Sequence, residues 1–98
     1  MNHYVLLFVM QGCSACAEYA PRFRRLSRDL RVYVIDVDKY EKHSDFYKIL
    51  SAPSAVICDW KGRPLNTITG STTDAEITKF LAPLRQASHQ QISATPGK

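Results

Sequence analysis

Two cysteines three residues apart, Cys13 and Cys16, restrict the fold of this chain more than any other feature. They stand where the apolar run Tyr4-Val5-Leu6-Leu7-Phe8-Val9-Met10 ends, after Gln11-Gly12, and where a helical pattern begins with Ser14-Ala15 between them. A strand that feeds a helix through such a turn sets one thiol at the helix N-terminus. Unpaired N–H groups and the positive end of the helix dipole favour the thiolate there. The thiolate is the form that attacks disulfides, so the placement predicts thiol–disulfide exchange.

The pattern downstream extends this start into a layered fold. Ala17, Ala20, Phe23, Leu26 and Leu30 recur every three or four residues, which predicts a helix from Ser14 to about Leu30 with that face buried. Pro21 falls inside it and is expected to kink it. Arg31 to Val37 is rich in β-branched residues and reads as a second strand, apolar enough to be buried on both faces. Strand, helix, strand in this order is a parallel βαβ unit with a right-handed crossover. After a charged connection, Ser44 is expected to cap a short helix through about Leu50, with Phe46, Ile49 and Leu50 turned inward. Ala52-Pro53 breaks the chain before a third strand, Ser54 to Cys58. Trp60-Lys61-Gly62-Arg63 then turns it onto a fourth, Pro64 to Thr69, which Gly70 ends. Thr73 with Glu76 forms a capping-box signal for a last helix to about Arg85, whose inward residues are Ile77, Phe80, Leu81 and Leu84. The expected order is β-α-β-α-β-β-α.

The length of 98 residues allows one domain and one core, assigned to residues 1–86. Residues 87–98 carry almost no apolar content and are expected to form a disordered tail. No apolar run approaches the roughly 18 residues that span a bilayer, and no Lys or Arg precedes the Tyr4–Met10 run as a signal peptide would require. The expected location is therefore cytoplasmic, without membrane association. Three cysteines do not build a disulfide framework, and the scattered His3, His43 and His89 with the solitary Cys58 do not complete a zinc set beside the close pair. Cys58 itself reads as a small core residue. The formal charge of +4 is concentrated in five arginines between Arg22 and Arg31. No aromatic residues interleave with them to stack bases, so a solvated helix face is preferred to a nucleic-acid site.

The order of elements and their punctuation resemble the thioredoxin fold over about Val5 to Leu84. Cys-x-x-Cys is followed by Ala20-Pro21, as in thioredoxins; Asp36 closes the second strand; Ala52-Pro53-Ser54 is similar to the family's cis-proline segment; Lys61-Gly62 resembles its hairpin turn and Gly70 the glycine before the last helix. The implied fold is α/β and thioredoxin-like, a central four-stranded mixed sheet flanked by helices. The first strand and helix of a full thioredoxin have no counterpart, so the outline is that of a minimal member, closer to a glutaredoxin. Leu7 stands where the family carries a buried aspartate, and Val32 where it carries a buried lysine. The glutathione-binding pattern of glutaredoxins is not met either.

The motif and the resemblance together assign roles. Cys13 is expected to be the nucleophile and Cys16 the more buried resolving thiol. Ser14 and Ala15 are small and leave the sulfur approachable. Gly12 and Met10 are expected to border the substrate groove, with Gln11 offering a hydrogen bond. The resemblance implies a cis Pro53, with the N–H and C=O of Ala52 facing Cys13 and free to pair with an extended substrate. Pro21 and Gly70 are expected to be structural. Glu18 reads as a first-turn acid favouring the helix dipole. The leading function is a monomeric oxidoreductase that reduces protein disulfides and is recharged by an upstream thiol reductase, with no cofactor beyond a redox-active Cys13–Cys16 disulfide. Two alternatives stand beside it: a binding or scaffold module that kept the fold and lost turnover, and a glutaredoxin-like metal or iron–sulfur carrier.

Overall fold

The computed structural model describes the backbone of residues 3–97 and the side chains of residues 3–85. The elements are β1 (His3–Val9), α1 (Ser14–Leu26), β2 (Val32–Asp36), α2 (Glu41–Phe46), β3 (Ser54–Asp59), β4 (Pro64–Thr69) and α3 (Asp74–Gly97), in the expected order. They build one mixed sheet with strand order β2-β1-β3-β4. β1 pairs parallel with β2, Val5 opposite Val32, and antiparallel with β3, Leu6 opposite Val56. β3 and β4 close the antiparallel hairpin, with a bulge at Ile57/Cys58.

Alternation along β1 divides the core between the two faces of the sheet. Val5 and Leu7 point to one side, where Tyr19 and Phe23 of α1 and Ile77, Phe80, Leu81 and Leu84 of α3 pack on them. Leu6 and Phe8 point to the other, with Val56 and Cys58, covered by Tyr47 and Ile49. Every residue of β3 is buried, as suits an inner strand. The capping box forms as the sequence predicts: Thr73 Oγ1 accepts the Glu76 N–H at 3.2 Å, and Glu76 Oε1 accepts the Thr73 N–H at 2.9 Å.

Several expectations are corrected. β2 is an edge strand rather than one buried on both faces, and Tyr33 stays 49% exposed. Its apolar run matched an inner strand, but β1 takes the centre and nothing among the described residues pairs with the outer edge of β2. α1 ends at Leu26, and its buried face is Cys16, Tyr19 and Phe23, with Ala17 exposed. Ala20, Phe23, Leu26 and Leu30 pack on the core as expected, and Cys16 and Tyr19 take the inward place of Ala17. In α2, Ser44 is not the cap; it lies within the helix and donates its hydroxyl back to the Tyr40 carbonyl at 3.4 Å. Only Ile49 of its three expected inward residues packs inward, while Phe46 and Leu50 face solvent. The helix stops early because Lys48 turns to φ +57° and the Ile49 N–H bonds back to the Ser44 carbonyl at 2.9 Å, a Schellman closure. The backbone of α3 continues to Gly97, past the expected end at about Arg85. For the proposed tail, 87–98, the side chains and the backbone of Lys98 lie outside the described residues.

Candidate active site

The site is assembled where β1 hands over to α1. Gly12 takes φ +75°, a conformation that favours glycine, and the Cys13 N–H bonds back to the Met10 carbonyl at 3.3 Å. This tight turn makes Cys13 the N-cap of α1. Its Sγ accepts the N–H of Cys16 at 3.0 Å, the first-turn contact that a helix start leaves to be filled. Cys13 and Cys16 are joined as a disulfide, with Cα atoms 5.2 Å apart. The two sulfurs differ in access: Cys13 is half-buried, whereas Cys16 is 4% exposed. An incoming sulfur therefore meets Cys13 first.

A second segment faces this turn. The Ala52–Pro53 bond is cis, Pro53 is buried, and the Ala52 carbonyl oxygen lies 3.9 Å from Cys13 Sγ. Among the described residues, no backbone group pairs with the Ala52 N–H or C=O. The third segment is the loop after β4. Gly70, at φ +86°, donates its N–H to the Pro53 carbonyl at 2.8 Å, which docks this loop against the proline. The structure thus brings Gly12, Cys13, Ser14, Cys16, Ala52, Pro53 and Gly70 to one end of the sheet. Gly12 and Ser14 are exposed beside the half-buried Cys13, and Pro21 lies further along α1 on its exposed face.

Beneath the helix the sheet is hydrocarbon. Leu7 is fully buried against Tyr19 and Phe23, and Val32 packs on the same cluster, so neither family position carries a proton-transferring group. The third cysteine, Cys58, is buried on the opposite face, and burial pushes its thiol up from its ordinary range. Glu18 is not a first-turn acid. Its two carboxylate oxygens take the Nε and Nη2 donors of Arg22 at 2.8 and 3.0 Å, which hold its carboxyl below the usual range.

Three contributors escaped the sequence reading. Tyr19, fully buried in α1, hydrogen-bonds Thr72 Oγ1 at 2.7 Å, and burial raises its phenol. Arg22 reaches the same loop. Asp38 accepts the Gln11 N–H at 3.4 Å and so supports the turn before Cys13. The only available signal was Tyr19 three residues after Cys16, on one helix face. The loop partners are some fifty residues away in sequence, beyond what local spacing conveys.

Among the described residues no cluster of His, Cys, Asp or Glu is arranged to hold a metal ion, and no helix is long and apolar enough to cross a membrane. At the level of sequence, no protein-family model and no curated protein matches the chain. Solved structures do match by shape. The germline thioredoxin Deadhead of Drosophila melanogaster superimposes with a TM-score of 0.71 at 28% identity, over 85% of this chain and 81% of that one. The Schistosoma mansoni thioredoxin pre-protein gives 0.73 at 24% identity, over 83% and 77%. Thioredoxin 1 of Thermosipho africanus gives 0.75 at 18% identity, over 88% and 98%. With its Cys13–Cys16 pair at the strand-to-helix turn, the chain belongs by fold to the thioredoxin-like superfamily.

Proposed function

We propose that this protein is a thiol–disulfide oxidoreductase that reduces disulfides in other proteins through Cys13 and Cys16. The observation that carries the reading is the asymmetry of the pair: a half-buried Cys13 sulfur that accepts a helix-opening N–H at 3.0 Å, over a buried Cys16. That N–H and the helix N-terminus stabilise negative charge on Cys13 once the pair is reduced. The Cys13 thiolate attacks one sulfur of the substrate disulfide, forms a mixed disulfide and expels the other substrate sulfur as thiolate. Cys16 then loses its proton and attacks Cys13 Sγ, which releases the second substrate thiolate. Two electrons pass to the substrate and the Cys13–Cys16 disulfide closes. With Leu7 and Val32 in the core, the expelled substrate thiolate is the base at hand for the Cys16 proton. The N–H and C=O of Ala52, which have no backbone partner among the described residues, align an extended substrate segment beside Cys13, with Gly12 and Ser14 leaving the approach open.

An upstream thiol reductase reopens the disulfide after each cycle. The working unit is residues 1–86, acting as a monomer in the cytoplasm, and no resident cofactor is required. The test is reduction of insulin by the purified protein with dithiothreitol, together with trapping of substrate proteins by Cys16→Ser through Cys13. Failure of both excludes the oxidoreductase. Partner binding that survives replacement of both cysteines would then assign the chain as a binding module.

A further inference from the structure

We infer that Arg22 is a positioning residue that latches the loop after β4 to the cysteine-bearing helix and so fixes one wall of the groove for protein substrates. The inference rests on the oxidoreductase reading and extends it to how substrate is selected.

Arg22 uses its whole guanidinium. Nε and Nη2 grip both oxygens of Glu18, while Nη1 donates to the Thr72 carbonyl at 2.6 Å and to Asp74 Oδ1 at 3.0 Å. The side chain is 19% exposed and its Cζ lies 5.2 Å from the centre of the Tyr19 ring. Tyr19 adds its own bond to Thr72 Oγ1 at 2.7 Å. Both the carbonyl and the hydroxyl of Thr72 are therefore held from α1. Two residues back, Gly70 is bonded to Pro53, and Ala52 lies against Cys13 Sγ. The contacts run from Cys13 along α1 to Tyr19 and Arg22, across to Thr72, back to Gly70 and Pro53, and through Ala52 to Cys13. These contacts close a ring that begins and ends at Cys13.

The consequence is selective. A protein substrate that spans the groove touches the Gly70–Thr73 wall, so a loosened wall must be ordered when it binds. A small aromatic disulfide reaches Cys13 without that wall. Lysine cannot replace arginine here, because one ammonium cannot occupy the Glu18 fork and also reach Thr72 and Asp74.

The test compares wild type, Arg22→Gln and Arg22→Lys on insulin and on a small aromatic disulfide. It also follows hydrogen exchange at the Thr72 and Thr73 amides. The expected result is an insulin KM raised about tenfold in both variants, as for a loop that must be ordered on binding, with small-disulfide turnover within twofold of wild type and faster exchange at both amides. Equal losses on both substrates, or none on either, overturn the inference. If the wild-type protein reduces neither substrate, the oxidoreductase reading fails by itself. The exchange data then decide the latch: faster exchange in Arg22→Gln upholds it, and unchanged exchange overturns it.

Discussion

Replacing Cys16 by serine separates the backbone's effect on Cys13 from that of the second sulfur. The donor to Cys13 Sγ is the N–H of residue 16, at 3.0 Å, and serine keeps it. A hydrogen bond to a charged acceptor contributes about 1.5–3 kcal/mol and the helix terminus a further ~0.3–1 kcal/mol. Half-burial of the sulfur offsets part of this, leaving about 2 kcal/mol in favour of the thiolate, or roughly a thirtyfold higher thiolate-to-thiol ratio. The thiolate share of Cys13 at neutral pH should therefore exceed that of a free cysteine. The assay is the rate of iodoacetamide alkylation against pH for Cys16→Ser, with glutathione titrated alongside. The reactive form should dominate at distinctly lower pH than in glutathione, and the variant should accumulate mixed disulfides with insulin. A profile that coincides with glutathione's would refute the argument, because the hydrogen bond would then not be acting on the reduced sulfur.

Lys48 holds φ +57° without being glycine, so Lys48→Gly should stabilise the protein by about 0.5–1 kcal/mol in urea unfolding; a destabilised variant would contradict the Schellman reading. Tyr19→Phe and Thr72→Val should each cost about 1 kcal/mol, lowering Tm by roughly 4–8 °C. Their double-mutant cycle should show the two costs to be shared, and simple additivity would mean that the 2.7 Å bond contributes nothing. Asp59 accepts the N–H groups of Lys61 and Arg63 and pairs with the Arg63 Nε, with Arg63's backbone the largest influence holding its carboxyl below the usual range. The folded form thus favours the ionised carboxyl, and its contribution to stability is complete above the unfolded value of about 4 and is lost as pH falls through the lower folded value. Asp59→Asn should flatten the acid limb of the stability profile, and an unchanged limb would exclude this turn as a contributor.

Much of the architecture was legible because local chemistry and tertiary packing agree. Thr73 and Glu76 mark the start of α3 by a reciprocal bond that needs no other part of the chain. Cys13 marks the start of α1 by a single local bond from the Cys16 N–H, and the Trp60–Arg63 turn announces the β3–β4 hairpin. Where a residue's fate depends on which neighbours arrive, the sequence misleads. Val32–Asp36 has the composition of an inner strand and lies at the edge. Ala17 has the spacing of a buried residue, and Cys16 and Tyr19 take its place. Phe46 and Leu50 look like core and face solvent. The arginine cluster reads as an undifferentiated basic face, yet Arg22 within it is committed to Glu18, Thr72 and Asp74.

By itself the sequence determined the element order, the starts of α1 and α3 and the presence of a dithiol at a strand-to-helix turn, because caps, turns and periodicity act over a few residues. Only the tertiary structure decided the strand order, the access of each sulfur and the enclosure of the site by Ala52, Gly70 and Thr72. Those depend on contacts between segments tens of residues apart, formed only when the two faces of the sheet are covered and the loops at its end are pressed together.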